Sequence, residues 1–283
     1  MRLQRAWWLA VAGLLGAACI APHLVAQETV GTGVIAGGKA LANQVNDPTE
    51  PITLLQLRNL FAPAWTGSPG GATVLEEEFV FPIAEGRLIP VMQLTRTTLP
   101  YLWLPDEAGG EAGFGDISYF DIGLLPTKWG RWGPGLTLVI PTGASTTALT
   151  QGKWQLGPAM AVIISKIPDL QFGLVLQNPI SIAGPSERPS VSALSIQPTL
   201  TYNFAGGWFG GFSDFSFSFD WTDGGAATIP VGLQVGKVTT IGSRHFVLSV
   251  EAATLVARPD DQGPEWLIGL EAAWVIKLHP RLR

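Results

Sequence analysis

From Pro51 onward the chain alternates apolar and polar residues over long stretches, and the alternation is clearest between Gly152 and Phe204. Trp154, Leu156, Met160, Val162 and Ile164 share one parity, while Lys153, Gln155, Gly157, Ala159 and Ala161 take the other. A period of two predicts a strand. After a Pro168-Asp169 turn the pattern resumes, with Leu170, Phe172, Leu174 and Leu176 set against Gln171, Gly173, Val175 and Gln177. A third run sets Leu194, Ile196, Leu200, Tyr202 and Phe204 against Ser195, Gln197, Thr199, Thr201 and Asn203. These strands exceed the globular mode of about five or six residues. Being apolar on one face only, they describe a wall between lipid and a wet interior.

The same reading along the chain predicts twelve strands, over 52–61, 72–81, 87–97, 117–125, 131–141, 153–165, 170–178, 191–204, 208–221, 228–241, 244–257 and 265–278. Short connections at 82–86, 126–130, 166–169, 205–207 and 242–243 alternate with longer ones at 62–71, 98–116, 142–152, 179–190, 222–227 and 258–264. An even count and this alternation fit an all-β fold: a twelve-stranded antiparallel transmembrane β-barrel with short periplasmic turns and longer external loops. The rival reading of the same aromatics is the core of a secreted β-sandwich.

In the last strand Trp266, Ile268, Leu270, Ala272, Trp274, Ile276 and Leu278 should face lipid. Phe215, Phe217, Phe219 and Trp221 should do likewise, with Asp214, Ser216, Ser218 and Asp220 facing inward. Trp132, Trp154, Trp221, Trp266 and Trp274 are the candidate aromatic girdle. The second strand fits worst. Glu76, Glu77 and Glu78 place a carboxylate on both parities, and Glu77 requires a bulge or the membrane–water interface.

Composition narrows the class. The 283 residues are 47% hydrophobic and 14% charged, against a usual charged fraction near 25%, and the mean hydropathy is positive. No stretch beyond the amino-terminal segment offers the roughly 18 apolar residues a spanning helix needs, which leaves a closed barrel as the membrane solution. Residues 1–26 read as a signal peptide, with Arg2 and Arg5 before the apolar run Trp7 to Ile20 and a cut after Ala26. Lipidation at Cys19 is the rival processing, but Gly16 stands where such a site favours Leu. Residues 27–50, rich in Gly, Ala and Asn, form a flexible leader that can tuck into the lumen, and 51–283 form the barrel. Removing Arg2 and Arg5 takes the formal charge from −5 to −7, that is 15 basic against 22 acidic residues. That sign excludes a nucleic-acid partner.

Several segments resemble bacterial outer-membrane proteins grouped with the meta-cleavage pathway of phenol degradation. They are GFGDISYFDI (113–122), GPGLTLVIPTG (133–143), GKWQLGPA (152–159), LVLQNPISIAG (174–184), IQPTLTYNF (196–204), FDWTDGGAATIPVGLQVGK (219–237) and EWLIGLEAAWVI (265–276). The resemblance spans about 110–278 in matching order. It implies a transporter or channel for hydrophobic or aromatic compounds in the outer membrane of a Gram-negative bacterium, inserted by the barrel-assembly machinery. The chain end departs from the usual terminal aromatic, carrying HPRLR (279–283) instead.

If the walls run as drawn, the lumen is lined by Asp121, Lys153, Gln155, Gln177, Gln197, Thr199, Thr201, Asp214, Asp220, Gln234, Glu251 and Glu271. Lys153 with Glu251, Glu271 and the aspartates is the candidate network, tuning a hydrated passage or filling the interior as a polar plug. DGGAAT (223–228) reads as a hairpin loop, lacking the Lys-Ser/Thr pair of a phosphate cradle. Asp106, Glu107, Glu111 and Asp116 cluster in one loop that reads as a solvated face more readily than a calcium site. A barrel hydrolase needs a general base beside its nucleophile, and His245, near Ser243 and Ser249, and His279 both fall at the predicted periplasmic end. The reading is therefore a channel or facilitator for small hydrophobic or aromatic solutes, with no enzymatic activity, metal or cofactor. Its alternative is a plugged structural or binding barrel.

Overall fold

The structure is a computed structural model, and it describes residues 42, 43, 46, 52–66, 70–104, 110–143, 148–259 and 263–278. Twelve strands close an antiparallel barrel: β1 (Ile52–Ala62), β2 (Ala72–Ile83), β3 (Gln93–Leu104), β4 (Ile117–Gly123), β5 (Gly130–Ile140), β6 (Trp154–Ile164), β7 (Leu170–Gln177), β8 (Ala193–Asn203), β9 (Trp208–Phe212 and Phe217–Asp220), β10 (Ala226–Ile241), β11 (Arg244–Ala257) and β12 (Trp266–Leu278). Each strand pairs with the next in sequence, and β1 pairs with β12 from Ile52↔Leu278 to Phe61↔Ile268. Closure leaves no sheet edge unpaired, as a lipid-facing sheet requires. Among the described residues no helix is long and apolar enough to cross a membrane, and two 3₁₀ turns, Ala205–Gly207 and Trp221–Asp223, join strands.

Period two governs burial as it governs sequence. In β2 the pattern alternates without interruption, burying Ala72, Val74, Glu76, Glu78 and Val80 and exposing Glu77, Phe79 and Phe81. No bulge rescues Glu77. It lies midway along β2 on the outer wall, opposite Leu57 and Leu99. In β6 the outward Trp154, Leu156 and Ile164 are exposed, and the inward Gln155, Ala159, Ala161 and Ile163 are buried.

Two elements differ from the expected boundaries. β3 covers 93–104 instead of 87–97, so the connection after β2 runs over 84–92, where Leu88 is fully projecting. Arg87 through Met92 contains Pro90 and makes no ladder, while Gln93 to Trp103 pairs with β2 residue for residue. The second difference is in β9, which breaks at 213–216. Seven residues from Phe212 to Ser218 face six on β10, from Leu233 to Thr228. One extra residue reverses parity. Trp208 and Phe212 point outward before the break and Phe217 and Phe219 after it, whereas Phe215, expected to face lipid, turns inward and is buried.

The short connections, at 124–129, 165–169, 204–207 and 242–243 together with 84–92, share one end of the barrel with the start of β1 and the end of β12. At 165–169 the Pro-Asp turn is made by Asp169 at φ 64°, a left-handed conformation Asp tolerates through its own short side chain. The remaining connections, long except for the five residues of 221–225, occupy the other end, where Trp65–Thr66 pairs with Gly263–Pro264 and Glu111–Phe114 extends the β3 hairpin.

Candidate functional site

The interior is layered. At the short-turn end Ile52, Leu54, Val80, Leu94, Phe120, Ile122, Ala161, Val175, Phe209, Val247 and Val275 form one apolar cluster, and the leading residue Ala42 packs into it. At the long-loop end Leu60, Val74, Leu102, Leu149, Phe215, Ala253 and Leu267 form another. Between them lies a belt of buried polar side chains that includes Gln56, Arg58, Glu76, Glu78, Arg96, Gln197, Asp214, Ser216, Glu251 and Glu271.

Arg58 is the centre of that belt and is 1% exposed. Its Nε donates to Glu251 Oε1 at 3.1 Å and its Nη2 forms a shorter ion pair with the same oxygen. Across its two ladders Arg58 stands opposite Glu271 on β12 and Glu76 on β2. Glu251 Oε2 accepts from the backbone N–H of Asp214 at 2.8 Å, and Gln197 Nε2 donates to the Asp214 carbonyl at 3.0 Å. The break in β9 therefore turns backbone groups inward, where the belt satisfies them. Phe215, from the same break, lies under the Arg58 guanidinium at 5.3 Å. Gly269 faces Glu251 across the β11–β12 ladder, and a Cβ there would meet Glu251 Cγ at 2.5 Å, so glycine makes the room the carboxylate uses.

A second cation, Arg96, lies 3.8 Å from Glu78 and 5.5 Å from the centre of the Phe120 ring. The belt thus sets the carboxylates of Glu76, Glu78, Asp214, Glu251 and Glu271 against two guanidinium groups. Glu251 is answered both by a guanidinium and by a backbone N–H, whereas among the described residues neither oxygen of Glu78 accepts a hydrogen bond and its charge is met by the Arg96 guanidinium at 3.8 Å.

Of the residues expected in the lumen, Gln155, Gln177, Gln197, Thr199, Thr201, Asp214, Gln234, Glu251 and Glu271 are buried on inward parities. Lys153 is buried as well, but its Nζ donates to the Pro185 carbonyl at 2.6 Å. It ties β6 to a long loop, and Arg58 is the cation bonded to Glu251. Asp121 is corrected: Phe120 and Ile122 hold the inward parity of β4, so Asp121 faces outward, accepting from Gln93 Nε2 at 2.8 Å. Asp220 is corrected too. It caps the rim turn, accepting from the Thr222 N–H at 2.8 Å and the Thr222 hydroxyl at 2.7 Å. Arg58, Glu76, Glu78 and Arg96 were not anticipated. The signal present was the shared parity of Gln56 with Arg58 against Leu55 and Leu57.

Trp154, Trp221 and Trp266 are exposed and Trp132 and Trp274 half-buried. Trp221 Nε1 donates to Asn178 Oδ1 at 2.9 Å. At the short-turn end Asn43 Nδ2 donates to Asp169 Oδ1 at 3.0 Å, Gln171 Nε2 to the Asn43 carbonyl at 2.7 Å, and Asn46 to the Asn203 side chain. The rest of the leader, like the signal segment and Cys19, lies outside the described residues, as do Asp106, Glu107 and His279. Asp116 pins the loops of the other end, accepting from the backbone N–H groups of Gly143 at 3.1 Å and Gln151 at 2.9 Å. Among the described residues no group of three His, Cys, Asp or Glu is placed to hold a metal. His245 Nδ1 is hydrogen-bonded to the Thr240 hydroxyl at 2.8 Å beside the 242–243 turn.

No known protein family's sequence profile matches the chain, and no curated protein matches it. Among solved structures, an outer membrane channel from Pseudomonas putida F1 superposes with a TM-score of 0.55 at 12% identity, covering 81% of this chain and 97% of that one. Outer membrane phospholipase A from Escherichia coli follows with a TM-score of 0.45 at 10% identity, covering 95% of this chain and 98% of that one, a likeness too slight to carry an argument. The first likeness shows that the chain has the fold of an outer-membrane β-barrel.

Proposed function

We propose that this protein is an outer-membrane channel for small hydrophobic or aromatic solutes, exported on its amino-terminal segment and inserted by the barrel-assembly machinery. The observation that carries the reading is the layered interior, with an apolar cluster at each end and the Arg58–Glu251 belt between them. A solute with an aromatic ring and one polar substituent matches those layers in turn. The ring replaces apolar contacts at either end, and the substituent exchanges hydrogen bonds with the belt midway. The sequence resemblance to the phenol-pathway barrels supports the same solute class.

A second reading is a closed barrel that binds or supports without conducting. It is favoured by the near-complete burial of Gln56, Arg58, Glu76, Glu78, Gln155 and Gln197, none more than 1% exposed. Flux into liposomes carrying the refolded mature chain separates the two. A benzoate-sized aromatic acid is compared with a sugar of similar mass, after a heat-shifted gel band has established the fold. Selective aromatic entry is the expected result. No flux of either solute from folded protein overturns the channel and leaves the closed barrel.

A further inference from the structure

The outer wall is not uniform. Among the described residues of the twelve strands, the outward positions hold two carboxylates, Glu77 and Asp121, and two carboxamides, Asn59 and Gln93, and all four lie on β1 to β4. Thr95, Thr97 and Tyr119 adjoin them, with Thr97 opposite Tyr119 and Thr95 opposite Asp121 in the β3–β4 ladder. From β5 to β12 the outward positions are apolar or aromatic, apart from Lys237, Thr239, Arg244 and Thr254 toward the ends of their strands. Glu77 stands at mid-strand, where hydrocarbon is thickest, and makes no hydrogen bond or ion pair among the described residues. A polar group in contact with lipid has no water to pair with, and in membrane proteins such groups bond across to a neighbouring protein.

We propose that the β1–β4 wall is an interface between two copies of this chain in the outer membrane, an inference that rests on the membrane-spanning reading. The polar sector is its own complement. Asn59, on β1 two positions along from Leu57, the partner of Glu77, supplies a donor one strand across from that carboxylate, and Gln93 donates to Asp121. A two-fold axis along the membrane normal sets the two sectors face to face at the same depth, so that Asn59 of one copy, two positions along the wall from the level of Glu77, reaches across to the other copy's Glu77 by its side chain, the isologous arrangement of a cyclic dimer. Leu55, Leu57, Leu75, Phe79 and Leu99 surround the polar groups and supply the apolar contact. No lysine or arginine stands on the outward positions of these four strands, so nothing repels a second copy's own donors or selects an acidic stranger.

The test is oxidative cross-linking of the full chain in isolated outer membranes, with Cys19→Ala removing the natural thiol. Leu57→Cys, beside Glu77, is expected to give a disulfide-linked species of twice the barrel mass, and Leu200→Cys on the far wall is expected to stay monomeric. Adding Glu77→Leu to the first variant is expected to lower the linked fraction several-fold while the heat-shifted band persists, which separates loss of the interface from loss of the fold. The proposal is overturned if Leu57→Cys stays monomeric in a folded membrane barrel, if it links to a different protein, or if Leu200→Cys links equally well. A chain that shows no heat shift and no membrane association removes the spanning reading, and the interface with it.

Discussion

Arg58 answers carboxylates on three other strands, bonding Glu251 on β11 and standing opposite Glu76 on β2 and Glu271 on β12. An ion pair this deeply buried adds little net stability, yet removing one partner strands the other without solvent. Arg58→Met is therefore expected to destabilise the barrel by about 3–5 kcal/mol, read as a lower urea midpoint by tryptophan fluorescence in liposomes. The double change Arg58→Met with Glu251→Met should recover only part of the loss, because Glu76 and Glu271 remain. A single variant that unfolds at the wild-type midpoint would show that the belt does not depend on this pair. Gly269→Ala acts on the same carboxylate from the facing strand, where the new methyl meets Glu251. Overpacking of that kind costs about 1–3 kcal/mol, measured as a shift of the same midpoint, and an unchanged midpoint would mean that Glu251 has room to move aside.

The break in β9 is the element with the largest effect on the interior. It reverses parity with one extra residue, and it carries Phe215 and the Asp214 N–H into the barrel. Phe215→Ala is expected to cost about 3–5 kcal/mol by the cavity it leaves among Leu60, Leu102 and Leu267, and to raise solute flux if the long-loop cluster is the narrow point. Stability falling with flux unchanged would place the barrier at the other cluster. Eleven of the strands were legible in the sequence because a half-buried sheet writes its parity into residue type, as β6 does with Trp154 against Gln155. β3 was displaced because it mixes both kinds on both faces: Leu94, Arg96 and Thr98 inward, Thr97, Leu99 and Trp103 outward. Phe215 was misplaced for a different reason. Alternation carries parity forward only while the ladder is regular, and the break leaves no mark in SDFS (213–216) that a strand would not also leave.

At the scale of the whole molecule, the rule that polar residues face inward holds in the middle of the barrel and on β7 and β8, where Gln171 and Asn203 point inward, and fails on β4 toward the short-turn end. There Phe120 and Ile122 point into an apolar cluster, so Asp121 takes the outer face. The layered interior is a property of the closed barrel, formed where strands distant in sequence meet, and no single strand's alternation records it. Topology is more robust, since four of the five connections at one end span six residues or fewer, against one of the six at the other, the turn over 221–225. That segregation predicts orientation: outer-membrane barrels keep short turns in the periplasm. An epitope inserted after Ser186, in the connection over 178–192, should bind antibody on intact cells. The same epitope after Gly242, in the two-residue turn that joins β10 to β11, should bind only after the outer membrane is permeabilised. The opposite labelling would invert the barrel, moving the cluster that holds Ala42 to the cell surface and making it the first layer an incoming solute meets.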